Sequence, residues 1–295
     1  MMLSVRVQCY NHGLYIQQAL ESIIMQQTNF PFEVVIGDDF STDDSLAIID
    51  AVIAKNTNAQ IRFHVLDRPV GGTYWKDRQK LGRLHNFTNI IDNCQGKYIA
   101  LLDGDDYWTD PLKLQKQVDF LESNIDYVIC FHEARVLWED EKNHNSIRFN
   151  SQFLWNKMNV NKFVYSAQDV FNGPFMATAS VMYRNTTISF PKWFYEAYSG
   201  DITLYGLIIG ESKIKYMTEV MASYRKHPDG ITRLHKGSEI ILNRIMILQY
   251  INSYYKGAHK SKIKIAINLY LAGLKSLSKK KNYLFNKALL SRWSY

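Results

Sequence analysis

Apolar residues along the first 120 positions fall into two alternating spacings, and the spacing decides what each stretch builds. Nearly continuous apolar runs at LSVRVQCY (3–10), FEVVIGDD (32–39), QIRFHVL (60–66) and KYIALLD (97–103) predict strands. LYIQQALESIIMQQ (14–27) has helical periodicity, with Ile16, Leu20, Ile23, Ile24 and Gln27 on one side. STDDSLAIIDAVIAK (41–55) predicts a helix opened by a Ser41-x-x-Asp44 capping pattern. The pair Gly71–Gly72 leads towards a helix around 77–93. After TDP, where Asp110 caps and Pro111 suits a first turn, LKLQKQVDFLES predicts another. Strands alternating with helices imply an α/β fold: a mainly parallel central sheet flanked by helices on both faces.

Beyond residue 125 the rhythm changes. YVICFHEARVLWE (127–139) and FMATASVMYR (175–184) predict longer strands joined by irregular segments. From about 238 the chain reads as helical, SEIILNRIMILQYINSYY and then KSKIKIAINLYLAGLKSL. The expected organisation is a unit over 1–237, with halves 1–110 and 111–237, and a basic helical extension over 238–295.

Composition narrows the class. With 46% hydrophobic and 21% charged residues, the 295-residue chain can bury a sizeable core. Its start runs into a strand pattern without a signal-peptide layout, and no apolar stretch reaches the ~18 residues that span a bilayer. Cys9, Cys94 and Cys130 are odd in number, far apart and without a C-x-x-C pair, so they read as buried thiols of a reducing compartment. The expected location is cytoplasmic. Residues 240–295 hold eleven Lys or Arg and no Asp or Glu; removing those eleven from the net charge of +7 leaves residues 1–239 at −4. The basic character belongs to the tail, so the overall charge does not argue for nucleic acid.

In open parallel α/β sheets, ligands bind outside the carboxyl ends of the strands. Three groups fall there: Tyr10 and Asn11, then Asp38 and Asp39, then Asp103, Gly104, Asp105 and Asp106 in YIALLDGDDYW. Clustered acids repel and raise one another's pKa, so a cation or backbone donors must offset the charge. A D-x-D pair offers hard oxygen ligands to Mg²⁺ or Mn²⁺, which also take phosphate oxygens. Tyr10 can stack on a base, and an aspartate can accept from a ring N–H or a ribose hydroxyl. The set makes a nucleoside-diphosphate site. Simpler readings stand beside it: Tyr10 as packing, and Asp38–Asp39 as turn chemistry before Ser41. An EF-hand is excluded, because Trp108 stands where the loop needs glycine. A strand-end phosphatase with an Asp103 nucleophile stays open but leaves Asp39 and Tyr10 unexplained.

YNHGLYIQQALESIIMQQ, FEVVIGDDFSTDDS and GKYIALLDGDDYW with DPLKLQKQ, in this order and spacing, resemble the family-2 glycosyltransferases of the GT-A fold. The resemblance implies inverting, metal-dependent transfer of a sugar from a nucleoside-diphosphate sugar. UDP is the expected nucleotide, with GDP or dTDP compatible; the acceptor is a glycan or lipid-linked glycan of surface-polysaccharide assembly. It maps nucleobase contacts onto Tyr10 and Asp39, with Asn11 and Asp38 beside them. Diphosphate and metal contacts map onto Asp103, Gly104 and Asp105, with Asp105 the direct ligand of Mn²⁺ or Mg²⁺ and Asp106 following the pattern. It implies a general base at a later helix start, Asp201 in YSGDITLYGLIIGESKIKYM, with Glu211 second; a plain helix cap is the alternative for Asp201. MASYRKHPDGIT resembles a Tyr-Arg-x-His signature, so Tyr224, Arg225 and His227 would steady the diphosphate or a closing loop, unless the segment is a solvated turn. The binding-class rival is a related domain that holds sugar nucleotides without turnover.

In the basic tail, Ile263, Ile267, Leu271 and Leu274 line one helical face, with Lys260, Lys264 and Lys275 elsewhere. Two readings are open: residues 256–292 docked on an anionic membrane at the inner face of the plasma membrane, or a helix packed on the body with a solvated lysine face.

Overall fold

The computed structural model describes residues 1–139, the backbone of 146–149, residues 162–186, 188–228, 230 and 237–281, with side chains through 277. One curled sheet runs through the molecule. Its strands are β1 (Leu3–Cys9), β2 (Phe32–Asp38), β3 (Ile61–Val65), β4 (Tyr98–Asp103), β5 (Tyr107–Trp108), β6 (Tyr127–Trp138), β7 (Ser146–Phe149), β8 (Val164–Tyr165), β9 (Met182–Arg184) and β10 (Lys213–Lys226). The order is β3-β2-β1-β4-β9-β6-β10-β5, with β7 beside β6 and β8 beside β10. The β3–β2–β1–β4 half is parallel throughout. Beyond it the sheet is mixed: β9 runs antiparallel to β4 and β6, while β6 and β10 are parallel. Shifts in the register between Met217 and Ala222 bend β10 towards the short β5.

Helices α1 (Ile16–Ile24), α2 (Ser45–Lys55) and α5 (Lys113–Ser123) cover one face. Their apolar residues meet Val5, Val7, Ile36 and Leu102. The other face carries α3 (Thr73–Leu81), α4 (Leu84–Asp92), α6 (Ala167–Asn172) and α7 (Gly200–Ile208), then α8 (Ser238–Tyr254) and α9 (Lys260–Lys281). Ile247, Leu248, Ile251, Ile263 and Ala266 of the last two helices belong to the same core as Leu101, Phe131 and Leu204 of the body. The extension therefore shares the core of the unit before it.

Several expectations need local correction. The helix around 77–93 is two helices, broken at Gly82, whose φ of 74° is left-handed and ends α3. Helix α2 begins at Ser45, and Ser41 does not cap it; Asp43 instead accepts from the Ser45 amide at 3.0 Å and from the Gly13 amide at 2.8 Å. Helix α1 ends at Ile24, leaving Ile24 half-buried and Gln27 exposed. Residues 175–184 form a 3-10 turn at Thr178–Ser180 before β9, not one long strand.

On α9, Ile263 is buried in the core of the body, Leu274 is buried, and Ile267 and Leu271 are half-buried. The apolar face expected to meet a membrane is thus used for packing. Ile265 and Leu269 remain exposed at 52% each, beside the exposed Lys264. The side chains of 278–292 lie outside the described residues. Among the described residues no helix is long and apolar enough to cross a membrane. Cys9, Cys94 and Cys130 are buried and unpaired, and burial pushes their thiols up to about 12.

Candidate active site

The parallel register aligns Cys9 with Asp38, and Gln8 with Asp103, so the chain leaves β1, β2 and β4 along one edge. A cavity of about 770 Å³ opens there, and Tyr10, Asp39, Asp103, Asp105, Asp201, Tyr224, Arg225 and His227 all line it.

The acidic run separates into three environments. Asp103 accepts from Arg6 Nη1 at 2.7 Å. Arg6 is an inward residue of β1, fully buried, with its guanidinium 4.4 Å from the Phe87 ring centre. Burial raises the Asp103 pKa and Asp105 adds to it, while Arg6 pulls the other way. Gly104 makes the close turn possible: a Cβ there would lie 2.8 Å from His12 Nδ1, 2.9 Å from Ile16 Cδ1 and 3.1 Å from the Gln8 carbonyl. Asp105 Oδ2 lies 3.1 Å from His227 Nε2 and 3.9 Å from His12 Nε2. Burial acts to raise its pKa, but the His227 hydrogen bond and the two imidazoles outweigh that and hold Asp105 below the usual carboxylate range. Asp106 is 1% exposed and absent from the cavity wall. Its carboxylate accepts from the Arg225 amide at 2.8 Å, and burial, with Asp105 and Asp103 beside it, raises its pKa well above normal. The expectation that Asp106 ligates metal is corrected: it anchors β10 beneath the site.

The carboxylate oxygens that face the cavity and are open to a divalent cation are those of Asp105 and the Asp103 oxygen that Arg6 leaves free, with the His227 and His12 imidazoles beside Asp105. Carboxylate oxygens suit Mg²⁺ and Mn²⁺ alike. Among the described residues no three His, Cys, Asp or Glu side chains form a ready metal cage. The set fits an ion that completes its shell with phosphate oxygens and water.

Asp38 and Asn11 do not reach the cavity. The Asp38 carboxylate accepts from the Ser41 amide at 2.8 Å and from its hydroxyl. Asn11, left-handed at φ 53°, donates its amide to Ser41 Oγ at 2.8 Å, and its side-chain oxygen accepts from the Thr42 amide at 2.8 Å. These two residues hold the turn. Asp39 faces the cavity, accepting from the Tyr74 hydroxyl at 2.9 Å and from Arg78 Nε at 2.8 Å. Tyr10, 52% exposed, forms a lip.

Asp201 stands in the first turn of α7, where Ser199 is the cap residue. It accepts from the Thr178 hydroxyl at 3.0 Å, the Ile202 amide at 2.8 Å and the Ser199 hydroxyl. Gly200 lets α7 close on α4, since a Cβ there would sit 3.1 Å from Leu84 Cδ2 and from Phe87. Glu211 is 73% exposed and ion-paired with Lys262 at 2.9 Å, away from the cavity, so it is no candidate for the base. Arg225 is fully engaged: it donates to the Asp105 carbonyl at 2.7 Å, to Glu139 at 3.1 Å and to Gln18. It ties β10 to the acidic loop, and with His227 it removes the solvated-turn alternative for that segment.

Cavity residues that escaped the sequence reading include Arg6, His12, Arg78, Arg83 and Arg244. Only Arg6 carried a signal, a charge at an inward position of an apolar strand.

A family model described as "Glycosyl transferase family 2" matches residues 4–186. An uncharacterised protein of Mycobacterium bovis is 33% identical over 222 residues, which is 75% of this chain and 58% of the relative. A Bacillus subtilis protein named as a teichuronic acid biosynthesis glycosyltransferase is 28% identical over 120 residues, 41% of this chain and 42% of its own length. The chain thus spans less than two thirds of these relatives. In shape it is similar to S. aureus TarS 1–349 solved with UDP-GlcNAc, at TM-score 0.63 and 16% identity over 96% of this chain and 77% of that one. It is also similar to the mannosyltransferase PcManGT of Pyrobaculum calidifontis, solved with GDP-Man and Mn²⁺, at TM-score 0.57 and 14% identity over 98% of this chain and 78% of the other. The likeness in shape agrees with a GT-A-type sheet, and the family match extends from β1 past β9. The chain belongs to glycosyl transferase family 2.

Proposed function

We propose that the protein is an inverting hexosyltransferase that moves a sugar from a UDP-sugar to a carbohydrate or lipid-linked hydroxyl in cell-surface polysaccharide assembly. The observation that carries this reading is the convergence of Asp39, Asp105 and Asp201 on one cavity. Asp39, with Tyr10 at the lip, takes the nucleoside. Asp105, with the free oxygen of Asp103, would hold a divalent cation whose charge offsets that developing on the leaving diphosphate. Asp201 accepts the proton of the acceptor hydroxyl as its oxygen bonds to the anomeric carbon; the bond from that carbon to the diphosphate oxygen breaks on the opposite face, which inverts configuration. The Thr178 and Ser199 hydroxyls and the Ile202 amide fix the Asp201 carboxylate for that role.

UDP is favoured by the UDP-GlcNAc bound to TarS, and the pathway by the name of the B. subtilis relative. The phosphatase alternative leaves Asp39 and Tyr10, which line the same cavity as Asp103, without a role. Docking of 256–292 on an anionic membrane stays a separate proposal, for which Ile265 and Leu269 are the exposed apolar residues and Ile263 packs on the body. Asp201→Asn tests the reading: transfer falls about 10²- to 10⁴-fold while UDP binding is kept. Equal transfer by both proteins would remove Asp201 as the base.

A further inference from the structure

The cavity does not end at Asp201. It continues between α6, α7 and the α8–α9 pair, and there its walls change character. Val170 and Phe171 of α6, Met176 beyond them, and Ile247, Leu248 and Ile251 of α8 line it, and none is more than 7% exposed. A sugar hydroxyl or a water would find few partners among these side chains, whereas an alkyl chain gains by leaving water there.

Two guanidiniums line the same cavity: Arg83, at the break between α3 and α4, and Arg244 of α8. Arg83 feels the charge of Asp201 and donates to the Tyr198 carbonyl, which places it near the proposed base. Arg244 bonds with the Tyr270 hydroxyl and precedes Ile247 and Leu248 by three and four positions, so it shares their helical face. Among the described residues neither arginine is in an ion pair, and both offer planar donors suited to a phosphate. Charge and apolar surface together ask for one amphiphilic ligand.

We infer that this end of the cavity is an acceptor subsite for a phosphate-bearing amphiphile. Its hydrocarbon chain lies among Val170, Phe171, Leu248 and Ile251, and its phosphate, which joins chain to acceptor sugar, faces Arg83 and Arg244. The inference rests on the proposed transferase reading, in which Asp201 receives the acceptor proton. It gives the α8–α9 pair a direct part in acceptor choice.

The test titrates hexyl, octyl and decyl phosphate, each below its micelle concentration, into the full chain by calorimetry. UDP is titrated into the same preparations. Affinity is expected to rise roughly three- to fourfold per added methylene. Leu248→Trp and, separately, Val170→Phe fill the subsite from opposite walls and flatten that dependence, with UDP binding as the check on folding. Arg244→Gln weakens decyl phosphate about tenfold or more but leaves decyl glucoside unaffected. Wild-type affinity indifferent to chain length, or a chain-length dependence untouched by both filling variants, would overturn the subsite while leaving the donor reading intact if UDP still binds. Absence of UDP binding by the wild type would overturn the transferase reading and the subsite with it.

Discussion

Asp105 and Asp106 are neighbours in the chain with opposite surroundings. Asp105 faces the cavity and two imidazoles, and Asp106 faces the backbone of β10. Asp106→Asn keeps an acceptor for the Arg225 amide and removes a buried acid, so its stability is expected to change by less than about 1 kcal/mol. Its response to UDP with Mn²⁺ stays that of the wild type in a thermal-shift assay; a lost response would return Asp106 to the metal site. Asp38 and Asp39 divide in the same way. Asp105 and Asp106 lie in the turn between β4 and β5, and Asp39 follows the last residue of β2, so strand parity separates neither pair and only the fold says which member meets the cavity. Strand ends were legible because apolar runs stop there. Arg6 showed only as a charge inside an apolar strand, and His12, Arg78 and Arg83 not at all, because each acts through contacts between elements far apart in sequence.

Lys113 supplies a test at the same scale. It is fully buried, its Nζ has no hydrogen-bond partner among the described residues, and it lies 3.8 Å over the Trp108 ring. Burial lowers its pKa from 10.5 to about 7. Between those values the unfolded chain holds a proton that the folded chain has released, so this lysine makes stability rise with pH from about 7 towards 10.5 and contributes no slope below about 7. Lys113→Met removes that slope and raises Tm, by about 2–4 °C for each kcal/mol relieved. Melting curves of both proteins across this range check it, and an unchanged slope would contradict it.

At the scale of elements, the seat of α7 decides where Asp201 points. Gly200 lies against Leu84 and Phe87, which a larger side chain would have to push aside. Gly200→Val is expected to lift the start of α7, lowering kcat at least about tenfold with little change in UDP affinity; steady-state kinetics beside UDP titration reads both, and an unaltered kcat would show that α7 tolerates the shift. The α3–α4 break was missed for a related reason. A helical pattern runs through 77–93, and only the left-handed backbone at Gly82 ends it. The break presents Arg83 to the cavity. Segment 175–184 misled in the other direction, since its apolar content serves a buried 3-10 turn next to the site.

For the whole molecule, the sheet explains why a short family pattern reports so much. Its parallel half places three loops on one edge, and the mixed half returns Asp201, Arg225 and His227 to the same cavity. The terminal helices complete that cavity and the core behind it. Ending the chain at 237 would uncover Leu204, Phe194 and their neighbours, and the shortened protein is expected to aggregate or melt early; a soluble product with the full-length Tm would show that α8 and α9 are dispensable. The central claim is that Asp105 joins donor and cation in one site. The most direct measurement is a thermal shift with UDP-, GDP- and dTDP-sugars, with and without Mn²⁺, on wild type and Asp105→Ala. The account predicts Mn²⁺-dependent stabilisation by the UDP-sugar that Asp105→Ala loses. An equal response from both proteins, or none from the wild type, would contradict it.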